Sequence, residues 1–209
     1  MNKDAVLRAI VFFIAKVTSY PVFFLLFRCR IIKKEKYKAA DINNSIIYAN
    51  HMSYLDPLLL IYAFHSNKLK FVMNQTVNEK NRFLKWILTT VGCISINKMN
   101  FSLANLSEMV EVFKQNKTLV IFPEGQIQES SEKIAEFRDG MALISSIQGV
   151  PIRPVYLHKP KNIFERHKII IGKAIMPEKF SGMPKKEDIK RFNTVARDAL
   201  AALSNSKEI

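Results

Sequence analysis

Short apolar runs alternate with helical stretches along most of this chain, and that alternation restricts its architecture more than any other feature. SIIYA (45–49), KFVM (70–73), CISI (93–96), TLVIF (118–122), VPIRPVYL (150–157) and KIIIG (168–172) read as strands. Runs this short and this apolar suit strands covered on both faces. Helical patterns lie between them. Pro57 opens LLLIYAF as a proline opens a first helical turn. FLKWILTTV (83–91) reads as a second helix. In FSLANLSEMVEVFKQN (101–116), Leu103, Leu106, Val110 and Phe113 keep helical spacing and leave Glu108, Glu111 and Lys114 outside. FRDGMALISSIQG is a helix ended at Gly149, and the tail from Pro184 carries Ile189, Phe192, Ala196, Ala199 and Leu203 on one stripe. The expectation is an α/β fold: one layered domain over residues 39–209, with a mostly parallel central sheet flanked by helices. No internal repeat, low-complexity tract or second domain interrupts it.

Residues 1–38 depart from the alternation. AVLRAIVFFIAKVTSYPVFFLLFRCR (5–30) leads straight into IIKKEKYK (31–38). The apolar part is too long for a signal peptide, and no small-residue cleavage site follows. A full membrane span is handicapped by Arg8, Lys16 and the kink expected at Pro21. Two short helices broken near Pro21 and lying in a membrane interface fit better. Phe12, Phe13, Phe23, Phe24, Leu25, Leu26 and Phe27 would enter the acyl boundary. Arg28, Arg30, Lys33, Lys34, Lys36 and Lys38 would meet anionic head groups, each contributing about 1 kcal/mol. The bland alternative is a hydrophobic hairpin packed on the domain with a solvated basic loop after it.

Charge narrows the partners. The formal net charge of +14 favours a polyanion or an anionic surface. No recognised nucleic-acid motif accompanies it, and phenylalanines clustered at the N-terminus suit lipid better than base stacking. The Lys/Arg bias places this face in the cytoplasm, so the expectation is a monotopic or peripheral protein on the cytoplasmic face of the membrane. Cys29 and Cys93 share no close spacing and no His cluster, which argues against a structural disulfide or a zinc site.

One turn concentrates chemistry. In YANHMSYLDPLLL (48–60) the first core strand ends, and His51 and Asp56 appear before the next apolar run. In an ideal helix these two would stand about 140° apart and could not meet. A loop curling back before Pro57 brings them together. A carboxylate that keeps one imidazole nitrogen protonated leaves the other free to take a proton, the minimum apparatus of base catalysis. Bland readings stand beside it: Asp56 as an N-cap, and His51 as a buried histidine bonded to backbone. Ser53 lies in no G-x-S-x-G elbow.

The motifs extend beyond this turn. NHMSYLDP (50–57) resembles N-H-x-S-x-x-D-P, the first signature of the glycerolipid acyltransferases typified by 1-acylglycerol-3-phosphate O-acyltransferase. GCISINK (92–98) is similar to the second, G-x-I-x-I-[DN]-R. FPEG stands at Phe122–Gly125, followed by the family-like F-[KR]-x-G at Phe137–Gly140. VPIRPV (150–155) resembles the fourth, V-P-I-x-P-V. The family also commonly carries an N-terminal membrane-associating segment.

This resemblance implies that His51 is the general base and that Asp56 orients it. The acceptor would be the free hydroxyl of a lysophospholipid, most simply the sn-2 hydroxyl of 1-acylglycerol 3-phosphate. No acyl-enzyme, metal or other cofactor is implied. The acyl donor is open among acyl-CoA, acyl carrier protein and acyl phosphate. Lys98 stands where the family has a phosphate-binding Arg, keeping the charge but losing the bidentate fork. Glu124 and Gly125 are implied substrate-binding residues, although a tight turn with a cap explains them equally. After Gly125 the chain departs from the family's T-R-S, with Gln126 and Ile127 replacing a hydroxyl and a cation. Arg138 is the candidate that restores positive charge, and Arg153 is a weaker one. Other lysolipid or glycerol phosphate acceptors, or a non-catalytic membrane-surface binder of the same fold, are the alternatives.

Overall fold

The computed structural model describes residues 29–64, 66, 68–74, 93–96, 103–128, 134–160, 165–178 and 182–206. The apolar stretch expected to associate with a membrane, the helix expected over 83–91, and Lys98 lie outside these residues. Among the described residues, no helix is long and apolar enough to cross a membrane.

Among the described residues, seven strands form one sheet: β1 (Arg30–Lys33), β2 (Ile46–Ala49), β3 (Leu69–Asn74), β4 (Ile94–Ile96), β5 (Thr118–Ile121), β6 (Ile152–His158) and β7 (Lys168–Ile171). Their spatial order is β1-β7-β6-β2-β5-β3-β4. Every pairing is parallel except β6 with β7. The helices are α1 (Asp56–Phe64), α2 (Leu103–Lys114), α3 (Gly140–Gln148) and α4 (Lys186–Ser204), with a 3-10 turn at Ala39–Ile42. The α/β domain with a mostly parallel sheet is therefore present.

The central strands are apolar throughout because both faces are covered. Ile46, Tyr48, Leu119, Ile121, Ile152 and Tyr156 join the core under α2, α3 and α4. Their neighbours Ile47, Ala49, Val120, Val155 and Leu157 join a second core under α1. Burying an Ile or Leu side chain contributes about 1.5–3 kcal/mol over leaving it in water, so β2, β5 and β6 anchor the fold.

Three details differ from the sequence reading. Arg30–Lys33, expected within a helical segment and basic loop, is an edge strand paired in parallel with Lys168–Ile171. Ile31 packs on one core and Ile32 on the other, while Arg30 and Lys33 stay exposed and blunt the edge with charge. In α2 the buried residues are Met109, Val112 and Phe113, with Val110 only partly covered. In α4 the buried stripe is Ile189, Asn193, Ala196, Leu200 and Leu203, and Phe192 and Ala199 are its shoulders. Asn193 is admitted because its amide donates to Asp139 Oδ1 at 3.0 Å.

Arg153 proves to be an internal fastener. Buried in β6, it donates to Glu35 Oε2 at 2.9 Å and to the Gly172 carbonyl at 3.0 Å. Its guanidinium stands 4.7 Å from the centre of the Tyr37 ring. The basic segment after β1 is thereby pinned to the sheet, at the opposite end of β6 from the turn described next.

Candidate active site

β2 and β5 are parallel neighbours, and the chain leaves them toward opposite faces, through α1 and α3. A crevice outside the carboxyl ends of such strands is the usual ligand site of open α/β sheets. Asn50, just past β2, fixes one wall. Its amide donates to the Leu157 carbonyl at 3.0 Å, and its oxygen accepts the Leu157 N–H at 2.8 Å. The side chain thus continues the ladder to β6 where the backbone of β2 has turned away.

The turn after Asn50 brings the expected pair together. His51 Nδ1 lies 2.8 Å from Asp56 Oδ2. The same oxygen accepts the backbone N–H of Met52 at 2.7 Å and of Ser53 at 2.8 Å. It reaches back into the turn, so the N-cap reading gives way to the pair. Ser53 shapes the bend, its carbonyl accepting the Asp56 N–H and its hydroxyl the Leu55 N–H. A carboxylate oxygen already holding two donors is purely an acceptor, which assigns the proton to Nδ1 and leaves a lone pair on Nε2. The side chain of Asp56 is 3% exposed and that of His51 19%, so the carboxylate is sheltered while the imidazole keeps an opening.

Two further contacts set the ring and its loop. Phe122 stacks on the imidazole, with centroids 4.2 Å apart and planes inclined by 20°. Glu124, buried at the end of β5, accepts the His51 N–H at 3.1 Å through Oε1 and the Ala135 N–H at 3.3 Å through Oε2. Burial pushes its carboxyl above the usual carboxylate range, and the two N–H groups pull the other way. Glu124, expected among the substrate-binding residues, ties the His51 turn to the segment entering α3 through these two bonds. Gln128 adds a third tie by donating its backbone N–H to the His51 carbonyl at 2.8 Å.

Gly125 has φ +73°, a left-handed conformation that only glycine adopts at no steric cost. It also admits Arg138, since a Cβ there would stand 2.5 Å from Arg138 Nε. The Arg138 N–H meanwhile donates to the Pro123 carbonyl at 3.0 Å. Residues 122–125 and Arg138 therefore form one folded unit beside His51, with an exposed guanidinium on it. Of the sequence candidates, His51, Asp56, Glu124, Gly125 and Arg138 converge, whereas Arg153 lies elsewhere. Asn50 and Phe122 were missed as functional residues, although each sits within a quoted motif and directly follows a strand.

On the α1 side of Asp56 a cavity of about 230 Å³ opens between Leu55, Leu59 and Leu157, with His158, Lys159 and His167 also lining it. His158 Nε2 pairs with Glu165 Oε1 at 2.9 Å. Burial lowers the pKa of His167, and the nearby His158 and Lys159 charges add to that. No group of His, Cys, Asp or Glu among the described residues could hold a metal ion.

A parallel α/β sheet with a His-x4-Asp pair at its carboxyl edge, a Phe-Pro-Glu-Gly turn against it and an arginine on that turn defines an acyltransferase-type centre. The chain belongs to the acyltransferase family: residues 29–158 match the family described as Acyltransferase. It is 31% identical over 116 residues to a probable 1-acyl-sn-glycerol-3-phosphate acyltransferase of Mycoplasma pneumoniae, covering 53% of this chain and 42% of that one. It is 28% identical over 145 residues to the 1-acyl-sn-glycerol-3-phosphate acyltransferase of Helicobacter pylori, covering 68% and 60%. The matched segment thus spans about half the length of these relatives. The crystal structure of the 1-acyl-sn-glycerophosphate (LPA) acyltransferase PlsC from Thermotoga maritima shares the fold, with a TM-score of 0.64 at 21% identity. That likeness covers 99% of this chain and 85% of the other.

Proposed function

We propose that this protein transfers a fatty acyl group from an activated donor to the free hydroxyl of a lysophospholipid, and that 1-acyl-sn-glycerol 3-phosphate is the acceptor, giving phosphatidic acid. The observation that carries the reading is the 2.8 Å contact of His51 Nδ1 with a buried Asp56 carboxylate. The names borne by the relatives supply the acceptor class.

In this mechanism Nε2 of His51 removes the proton of the acceptor hydroxyl as its oxygen attacks the acyl carbonyl carbon. The carbon–oxygen ester bond forms, and the bond from the carbonyl to the donor's leaving group breaks. That group departs with the proton held on Nε2. Asp56 stabilises the imidazolium between the two steps, and Phe122 keeps the ring plane fixed. Proton transfer of this kind contributes about 10²–10⁴-fold, and positioning and oxyanion stabilisation supply the rest. Arg138 and Lys98 are the cations offered to the acceptor phosphate, with Glu124 and Gly125 shaping the turn that holds Arg138. The donor is acyl-CoA, acyl carrier protein or acyl phosphate, and the reaction takes place at an anionic membrane surface facing the cytoplasm.

The test is a matrix of these three donors against lysophosphatidate and other lysolipids, using the purified full chain. Phosphatidate is the expected product. His51→Ala and Asp56→Asn should each lower turnover by about 10²–10⁴-fold while folding and vesicle binding persist. Wild-type turnover in His51→Ala would remove the base.

A further inference from the structure

We propose that the outer face of α1 and the turn before it form a docking surface for an anionic phospholipid leaflet, with Tyr54, Leu55 and Leu58 entering the headgroup–acyl boundary. The proposal rests on the amphiphilic acceptor argued above, and its main readout is binding rather than turnover.

The sequence of α1, DPLLLIYAF, carries no charge after Asp56. Leu59, Leu60, Ala63 and Phe64 are buried against the sheet, but the outside of the helix is apolar as well. A helix apolar all round belongs under other protein or in lipid. Here Tyr54 is 81% exposed, Leu55 42% and Leu58 39%. These three large apolar side chains fall within one helical turn of Asp56.

Charge decides the occupant. The Tyr37 ring packs 6.3 Å from that of Phe64, joining the far end of α1 to the 33–38 loop. Lys33, Lys34, Lys36 and Lys38 are exposed there. Glu35, the loop's one acid, is paired with buried Arg153, so the charge the loop shows outward is basic. Exposed Lys159 lines the cavity with Leu55 at the other end of the helix. An apolar centre bracketed by lysines matches a leaflet whose acyl region lies beneath anionic phosphates. A lipid hydroxyl at that boundary would meet His51 without leaving the leaflet.

The experiment attaches an environment-sensitive fluorophore at Leu58→Cys, in the full chain carrying Cys29→Ser and Cys93→Ser. The same label at Thr194→Cys, exposed on α4, is the control. Vesicles of phosphatidylcholine with phosphatidylglycerol should shift the emission at position 58 to the blue and leave position 194 unchanged. Pure phosphatidylcholine should do less. In a chain with native cysteines, Tyr54→Glu with Leu58→Glu should weaken binding to the anionic vesicles by roughly tenfold or more. Leu58→Glu alone, on α1 and outside the His51–Asp56 turn, should keep wild-type turnover on a short-chain, monomeric lysophosphatidate. A blue-shifted label before vesicles are added would put another segment of the chain, or a second copy, on this face and overturn the proposal. Unchanged vesicle affinity of the double variant would overturn it as well. If label 58 enters anionic vesicles but no acceptor is acylated, the docking surface stands and the proposed reaction falls.

Discussion

The two faces of the sheet are built on different principles. One is covered by α2, α3 and α4, whose inner stripes are apolar and whose outer positions carry charges such as Glu108, Glu111, Lys114 and Asp198. The other is covered, among the described residues, by α1 alone, which is apolar inside and out and begins at the Asp56 carboxylate. The first face is ordinary core, and the second carries the proposed site. The same β2 strand serves both: Tyr48 turns to α4, its hydroxyl donating to the Ala196 carbonyl at 2.9 Å, while Asn50 and His51 at its end form the proposed site. Stability and function are therefore separable by face, and substitutions can test that division.

The sharpest contrast pairs Leu200→Ala on α4 with Leu58→Ala on α1. Leu200 is fully buried, and its truncation should cost about 2–5 kcal/mol of unfolding free energy in a denaturant titration. Turnover per folded molecule should hold. Leu58→Ala should change stability by no more than about 0.5 kcal/mol. A comparable loss from both would erase the distinction between the faces.

Glu124 tests the seam between them. Glu124→Gln keeps the shape but sets one N–H donor against another, at His51 or at Ala135. Turnover should fall by about tenfold, the scale of one misplaced positioning contact. The substitution also has a pH signature. Burial raises the folded pKa of Glu124 above its ordinary value of 4.5, so the native state holds the proton more tightly than the unfolded chain. Its contribution to stability therefore declines as pH rises from 4.5 toward the raised value. Removing the carboxyl should flatten that part of the profile measured by thermal unfolding.

The smallest effect belongs to His167 in the α1-side cavity. Its folded pKa lies below 6.5, so the unfolded chain binds the proton first. Its contribution is complete above 6.5 and is lost as pH falls through the window below that value. His167→Gln should flatten this acid arm of the unfolding profile, and an unchanged slope would locate the burial penalty elsewhere.

Much of this arrangement was legible in the residues. The inner strands announced themselves because both faces of each are covered, leaving unbroken apolar runs such as TLVI and KIII. β1 did not, since an edge strand reading Arg-Ile-Ile-Lys shows only two apolar residues between two charges. The stripe on α2 was misphased because Met109 is core here and Val110 is not. The His51–Asp56 contact could be anticipated from a five-residue spacing that a turn, but not a helix, can close. The place of Glu124 could not, because its partners are backbone N–H groups brought in by sheet order and carry no side-chain signature. The approach of Arg138 to Gly125 likewise has no signature in the local sequence.

Base catalysis by His51 requires its ring to carry the proton on the nitrogen that faces Asp56. The most direct measurement is the nitrogen-15 NMR signature of that imidazole in the full chain at a pH where the ring is neutral. The expected result is a protonated Nδ1 and a bare Nε2, with the preference weakened in Asp56→Asn. A neutral ring protonated at Nε2 in the wild type would contradict it, for the base would then have no lone pair to offer a lipid hydroxyl.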